Sequence, residues 1–341
     1  MSYKYPVGVL GAGAWGTALA EHLAGVCGHN VLLWSYDKKA AADIKKKRKN
    51  SIFLPGYPLS EKIDVTTTPE DVAKNCKVIL YASPVPHCAE MAAMLAPILK
   101  EDQTVVISSK GFRESDGAIL TDVWQDMMLH FHNLAVLSGP TFAHEVAGHK
   151  PALATLAANR KEVIKEVDKL FNSSLMRLYF SHDLIGVQVG AAMKNVIAIG
   201  AGISDGLGMG ENFKAGVLCR GIVEMMRYSH SLGGERLTLS GLSGVGDLML
   251  SSHEGSRNYR FGRYLGEGMT AKEAFEKVGS TVEGANTAAI LTVQGASKGI
   301  DMGVVMAVNG VIHGDIDASR TFRLLLERPR VVEFDIDEDL I

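Results

Sequence analysis

The sequence predicts an α/β protein: an N-terminal, Rossmann-type doubly wound sheet followed by an all-α C-terminal domain. Three observations carry this. The glycine-rich turn Gly11-Ala12-Gly13-Ala14-Trp15-Gly16 follows a short apolar run directly and opens a helical pattern. Short Val/Ile/Leu runs then alternate with helix-length segments to about residue 184. Beyond it the apolar spacing is helical throughout, with glycine-rich joints and no strand alternation.

In chain order, residues 7–10 read as a buried strand and 17–24 as the helix after the glycine turn. Residues 31–34 form the second strand, and a helical segment covers 37–48. Further strands are expected at 77–82, 104–108, 134–137 and 152–156, with helices at 85–99 and 119–129. Strands that are apolar on both faces and alternate with helices indicate a parallel sheet covered on both sides, a Rossmann-type arrangement. The expected helices of the second part are 187–200, 213–232, 258–265, 270–278, 286–298 and 304–313. The domains expected are 1–184, which binds a dinucleotide, and 185–330, which is helical, with an acidic tail at 331–341.

The chain has 341 residues, 47% of them hydrophobic and 21% charged, which suits two globular domains. Its formal net charge of −3 supplies no general attraction to nucleic acid or anionic lipid. Thirty-six glycines exceed the usual share of about 7% and point to tight turns or close backbone approaches. Cys27, Cys76, Cys88 and Cys219 are irregularly spaced and read as reduced core thiols. The first strand comes too soon for a signal peptide. No apolar run reaches the roughly 18 residues that span a bilayer; the most apolar stretch, 186–202, carries Gln188, Lys194 and Asn195. The expectation is a cytoplasmic protein with no stable membrane insertion and no nucleic-acid partner.

The glycine turn has a physical logic. Gly11 permits the tight turn, Gly13 lets the backbone approach a pyrophosphate, and Gly16 lets helix and strand pack closely. N–H groups at the helix start then face the phosphates. A second signature of such sites is an acid some twenty residues on, ending the second strand. Asp37 has the right distance but follows Ser35 and Tyr36 past the strand, and reads equally as a helix N-cap. Lys38, Lys39 and the run Lys45-Lys46-Lys47-Arg48-Lys49 fit either a 2′-phosphate or a solvated basic face. The cofactor is therefore NAD or NADP.

Lys194 and Asn195 lie inside an otherwise apolar helical stretch, Ala192-Met193-Lys194-Asn195-Val196-Ile197. A lysine buried there would have a lowered pKa and serve as a proton donor or acceptor; the alternative is a lysine that snorkels at the helix margin. His130, His132 and His144 have no partner at metal-ligand spacing, so no metal is expected.

With these blocks the chain resembles the NAD(P)-dependent glycerol-3-phosphate dehydrogenase family in its bacterial form. The resemblance rests on the glycine turn and the Lys194-Asn195 helix. It rests also on Asn50-Ser51-Ile52-Phe53-Leu54-Pro55-Gly56, Ser109-Lys110-Gly111 and Ser138-Gly139-Pro140-Thr141-Phe142-Ala143. Gly244-Val245-Gly246-Asp247-Leu248, Ser256-Arg257-Asn258-Tyr259-Arg260-Phe261-Gly262 and Val282-Glu283-Gly284 continue it in the family's order, over residues 7 to about 330.

The resemblance implies reduction of dihydroxyacetone phosphate to sn-glycerol 3-phosphate for phospholipid synthesis, with a hydride from NADH or NADPH. Lys194 matches the family's catalytic, substrate-binding lysine, and Lys110 a lysine contacting both substrate and cofactor. Gly139, Thr141 and Asp247 match substrate contacts, and Ser256, Arg257 and Asn258 the phosphate-contacting trio. Gly11, Gly13, Ala14, Trp15, Gly16, Tyr36, Ala143, Arg257, Thr281 and Glu283 match cofactor positions. Asp247 reads alternatively as a helix N-cap, and Arg260 and Arg263 are taken as structural. The resemblance also implies a homodimer.

The chain departs from the family where Ala14 replaces a serine and where Met302-Gly303 replaces a proline. In Ser83-Pro84-Val85-Pro86-His87 a different segment follows the strand, so no contacts are assigned there. Two alternatives stay open from the residues alone: another two-domain dehydrogenase, of the 3-hydroxyacyl-CoA or 6-phosphogluconate type, and a non-catalytic NAD(H)-binding redox sensor.

Overall fold

A computed structural model describes residues 3–128, 133–314, 317–329 and 333. The pair His130 and His132, and most of the acidic tail, lie outside the described residues. The chain folds as two compact units, Met1–Gln188 and Val189–Ile341, so the division falls inside the helix Leu184–Gly206.

The first unit holds β1 (Tyr5–Leu10), β2 (Val31–Trp34), β3 (Lys49–Asn50), β4 (Leu54–Pro58), β5 (Ile63–Thr66), β6 (Cys76–Tyr81), β7 (Thr104–Ile107), β8 (Leu134–Ser138), β9 (Ala152–Ala158) and β10 (Met176–Ser181). Eight of them form one sheet in the order β10-β9-β8-β7-β6-β1-β2-β5, while β3 and β4 make a separate hairpin. Alternate residues explain the continuous apolar runs. Val7, Val9, Val31, Leu33, Val78 and Leu80 fill the core on one face. Leu10, Leu32, Trp34, Ile79, Tyr81 and Ile107 fill the core on the other.

The sheet departs from the fully parallel one expected, because β8 and β9 run antiparallel, with Leu137 opposite Leu156. Their connection is a short helix, Ala143–Ala147, rather than a long crossover. The short edge strand β5 and the second edge strand, β10, were not expected from the sequence. Nor were the β3–β4 hairpin and the helices Pro69–Asn75 and Lys161–Leu170. Segment 85–99, expected as one helix, is a 3₁₀ turn, Val85–His87, followed by the helix Cys88–Leu95.

β1 is the switch point: β2 pairs on one side of it and β6 on the other, both parallel. The loops after β1 and β6 therefore diverge at its C-terminal end, where open α/β sheets bind ligands. Both loops are tied there. Leu10 O accepts from Ala82 N and from Ser83 Oγ, each at 2.9 Å, and Gly11 N donates to Trp34 O at 3.2 Å.

The second unit is helical among its described residues. The helix Leu184–Gly206 is long and apolar enough by composition to cross a membrane, with mean hydropathy 1.5, which corrects the expectation that no run reaches that length. Its apolar window is 89% buried, the condition of a core helix. Glycines set its packing on the helix Arg257–Gly266. A Cβ at Gly202 would stand 2.1 Å from Tyr259 O and one at Gly206 2.3 Å from Arg263 O. In return, a Cβ at Gly262 would stand 2.0 Å from Ile199 O and one at Gly266 2.4 Å from Ile203 O. Four glycines thus serve backbone contact between two helices, and that contact brings Asn195 to Asn258.

Glu224 is buried and accepts from Val304 N at 2.6 Å and Val305 N at 3.1 Å, closing the start of the helix Gly303–His313 in place of a local cap. Burial pushes its carboxyl up to about 7 against the donated N–H groups. Because the folded value lies above the ordinary one, the contribution is fully present below about pH 4.5 and is lost as pH rises through about 7. The difference is worth at most roughly 3 kcal/mol. Denaturant unfolding at pH 5 and pH 8 should therefore show Glu224→Gln gaining on wild type at the higher pH. Identical pH profiles for the two proteins would contradict this reading.

Candidate active site

In the first unit the glycine turn is built as its chemistry requires. Gly11 has φ +119°, and a Cβ there would meet Ser83 Oγ at 2.7 Å and Ala82 O at 2.8 Å. Gly16 lies under Gly11, whose carbonyl oxygen would be 1.9 Å from a Cβ. Gly13 differs: it precedes the helix Ala14–Glu21 with extended backbone, and a Cβ there meets no protein atom within 4 Å. Trp15 follows, its indole Nε1 buried with no hydrogen-bond partner among the described residues. An open Gly13 beside a helix start fits a dinucleotide pyrophosphate.

After β2, Asp37 is the N-cap of the helix Lys38–Lys47, its carboxylate accepting from Lys39 N at 2.7 Å and Ala40 N at 2.9 Å. The capping role is thus the one this carboxylate fills here. Tyr36 is 87% exposed.

At the ends of β7 and β8 the other first-unit candidates come together. Lys110 Nζ donates to Gly139 O at 3.3 Å, and Thr141 Oγ1 donates to the same carbonyl at 3.2 Å. Gly139 has φ +155°, and a Cβ there would be 2.9 Å from Ala154 Cα, so a side chain is excluded. Ala143 opens the helix Ala143–Ala147 just beyond.

The second unit holds the other cluster. Lys194 is 6% exposed and does not snorkel; its Nζ donates to Asp247 Oδ1 at 2.6 Å and to Ser251 Oγ at 2.7 Å. Asp247 is the first residue of the helix Asp247–Ser251, whose N-cap is Gly246, so its carboxylate serves Lys194 rather than a cap. Ser251 was not among the sequence candidates. Its signal was available: it stands one helical turn after Asp247, on the same face.

The neighbouring residues divide into framework and open groups. Asn258 Nδ2 donates to Asn195 Oδ1 at 3.0 Å, and Asn258 Oδ1 accepts from Gly284 N at 3.0 Å. Ser256 caps the helix Arg257–Gly266, accepting from Tyr259 N. Arg257, between them, is exposed and pairs with Glu283 Oε1 at 2.9 Å, which joins a substrate candidate to a cofactor candidate. Thr281 is exposed. Arg260 donates to Glu254 O, and Arg263 pairs with Glu254 and Glu267, so both act within the helix surface.

A switch-point glycine turn on a doubly wound sheet and a buried lysine–carboxylate pair in a helical unit define a dinucleotide-binding protein of two-part dehydrogenase architecture. The comparisons agree. Residues 6–164 match the model of the NAD-dependent glycerol-3-phosphate dehydrogenase N-terminus, and residues 183–323 that of its C-terminus. A glycerol-3-phosphate dehydrogenase (NAD(P)+) of Erythrobacter litoralis is 40% identical over 332 residues, 97% of this chain and 98% of the relative. One from Thioalkalivibrio sulfidiphilus is 40% identical over 330 residues, 96% and 99%. The crystal structure of glycerol-3-phosphate dehydrogenase from Coxiella burnetii superposes with a TM-score of 0.90 at 34% identity, covering 95% of this chain and 99% of that one. The chain belongs to the NAD-dependent glycerol-3-phosphate dehydrogenase family.

Proposed function

We propose that this chain reduces dihydroxyacetone phosphate to sn-glycerol 3-phosphate, using NADH or NADPH, and so supplies glycerophospholipid synthesis. We place the enzyme in the cytoplasm and, on the family resemblance, read it as a homodimer. The observation that carries the reaction is the buried cluster of Lys194, Asp247 and Ser251.

Gly11, Gly13, Ala14, Trp15 and Gly16 hold the dinucleotide through backbone N–H groups, and Tyr36, Lys110, Ala143, Arg257, Thr281 and Glu283 complete its contacts. The bound nicotinamide supplies the hydride that reaches the carbonyl carbon. The chain's own chemistry is at Lys194, whose ammonium donates a hydrogen bond and then a proton to the carbonyl oxygen as negative charge develops there. Asp247 and Ser251 fix where that ammonium points. In the reverse direction Lys194 takes the proton back. Lys110, Gly139 and Thr141 contact substrate. Arg257 binds the phosphate through its planar fork, exchanging the Glu283 carboxylate for a dianion, while Ser256 and Asn258 frame the same subsite.

Arg257→Ala should raise the KM for dihydroxyacetone phosphate by roughly 10- to 100-fold, the worth of a hydrogen bond to a charged group, with a smaller change in kcat. It should also narrow the preference for that substrate over unphosphorylated dihydroxyacetone. A KM within twofold of wild type would contradict phosphate binding at Arg257.

A further inference from the structure

Asn50 is fully buried at the end of β3, and its amide uses both ends. Nδ2 donates to Ala12 O at 2.9 Å and to Thr17 Oγ1 at 2.8 Å, while Oδ1 accepts from Phe53 N at 3.1 Å. The orientation is dictated by its partners, since only the NH₂ end satisfies a carbonyl and only the oxygen satisfies an N–H.

Two of these partners belong to the glycine turn and the helix it opens. Thr17 N closes the first helical turn on Gly13 O at 2.9 Å, so Thr17 and Ala12 bracket the segment proposed to face the pyrophosphate. Across a trans peptide the C=O of Ala12 and the N–H of Gly13 point in opposite directions. Holding the Ala12 carbonyl against Asn50 therefore aims the Gly13 N–H away from it, on the open side of the turn. The third partner extends the link to the β3–β4 hairpin, where Ile52 and Phe53 are both more than 40% exposed.

We infer that Asn50 is a positioning residue for cofactor binding: it sets the peptide plane of the glycine turn and couples that plane to the hairpin carrying Phe53. The inference rests on the proposed reading of residues 11–16 as the dinucleotide turn. It assigns Asn50 an effect on the dinucleotide and none on the chemical step.

The test is direct titration of purified full-length protein with NADH, NADPH and ADP-ribose, followed by the fluorescence of the tryptophans, together with steady-state kinetics. Asn50→Asp keeps the shape, removes both donors and sets a carboxylate against the Ala12 carbonyl. Its Kd for all three ligands should rise at least tenfold. At saturating cofactor, kcat and the KM for dihydroxyacetone phosphate should stay within threefold of wild type. Thr17→Val, which removes one partner and leaves the Ala12 contact, should weaken binding by only a few-fold and stands in if Asn50→Asp fails to fold.

A folded Asn50→Asp with an unchanged dinucleotide Kd would overturn the inference, as would a loss confined to kcat. So would Thr17→Val with unchanged binding where Asn50→Asp does not fold. Wild-type protein that binds none of the three ligands would instead refute the dinucleotide turn itself, a separable failure.

Discussion

Lys194→Ala should lower turnover by about 10²- to 10⁴-fold, the usual worth of a positioned general acid, while leaving the affinity for NADH and NADPH largely intact. Removing the ammonium also breaks the buried ion pair with Asp247, which is 1% exposed. Breaking one side of a buried pair costs about 3–5 kcal/mol, so the variant should also lose stability. The two losses are separable. Adding Asp247→Asn to Lys194→Ala removes the buried carboxylate's charge and should restore part of the stability, yet it should recover no activity. Stability is read by denaturant unfolding and activity by single-turnover reduction of substrate. A Lys194→Ala enzyme within tenfold of wild type would remove Lys194 from the chemistry.

Gly16→Ala should be nearly as severe, by a different route. Its methyl carbon would lie 1.9 Å from Gly11 O and 3.2 Å from Ala82 Cβ, so the helix start or the turn must move. Overpacking of this kind costs about 1–3 kcal/mol, and the displaced N–H groups should lower dinucleotide affinity by roughly 100-fold, about 2.7 kcal/mol. Gly13→Ala supplies the contrast. It meets no protein atom and its backbone is extended, so folding should be unaffected while affinity falls, because the methyl enters the space assigned to the pyrophosphate. Unfolding midpoints and cofactor titrations on the two variants distinguish a packing glycine from a ligand glycine. Loss of stability in Gly13→Ala, or unchanged cofactor affinity in either variant, would contradict these assignments.

These contrasts show why the sequence was legible in parts. The glycine turn announces itself because strand, turn and helix are contiguous, and the central strands do so because both of their faces are buried. β5 was missed for the opposite reason: of Ile63, Asp64, Val65 and Thr66 only Ile63 is buried, so the edge carries no apolar run. β10 is likewise half covered, with Tyr179 and Phe180 exposed. The direction of β9 was illegible because apolar alternation is the same for a parallel and an antiparallel neighbour.

At the candidate site, residue types were readable but pairings were not. Lys194 and Asp247 lie 53 residues apart, and nothing in their spacing joins them. The trio of Ser256, Arg257 and Asn258 read as equivalent phosphate contacts. The fold divides them, holding Asn258 between Asn195 and Gly284 N and leaving Arg257 at the surface with Glu283. Asn50 stood inside a family block with no role attached; only the folded chain puts its amide against Ala12 and Thr17.

The central claim is the reaction, and the most direct measurement is the oxidation of NADH and NADPH by purified protein with dihydroxyacetone phosphate. A 3-hydroxyacyl-CoA, run in the oxidising direction with NAD and NADP, and 6-phosphogluconate serve as the rival substrates. The account predicts rapid, substrate-dependent oxidation of at least one nucleotide with stoichiometric glycerol 3-phosphate, and no turnover with the rivals. Tight nucleotide binding with no turnover of dihydroxyacetone phosphate at any pH, or preferential turnover of a rival, would contradict it.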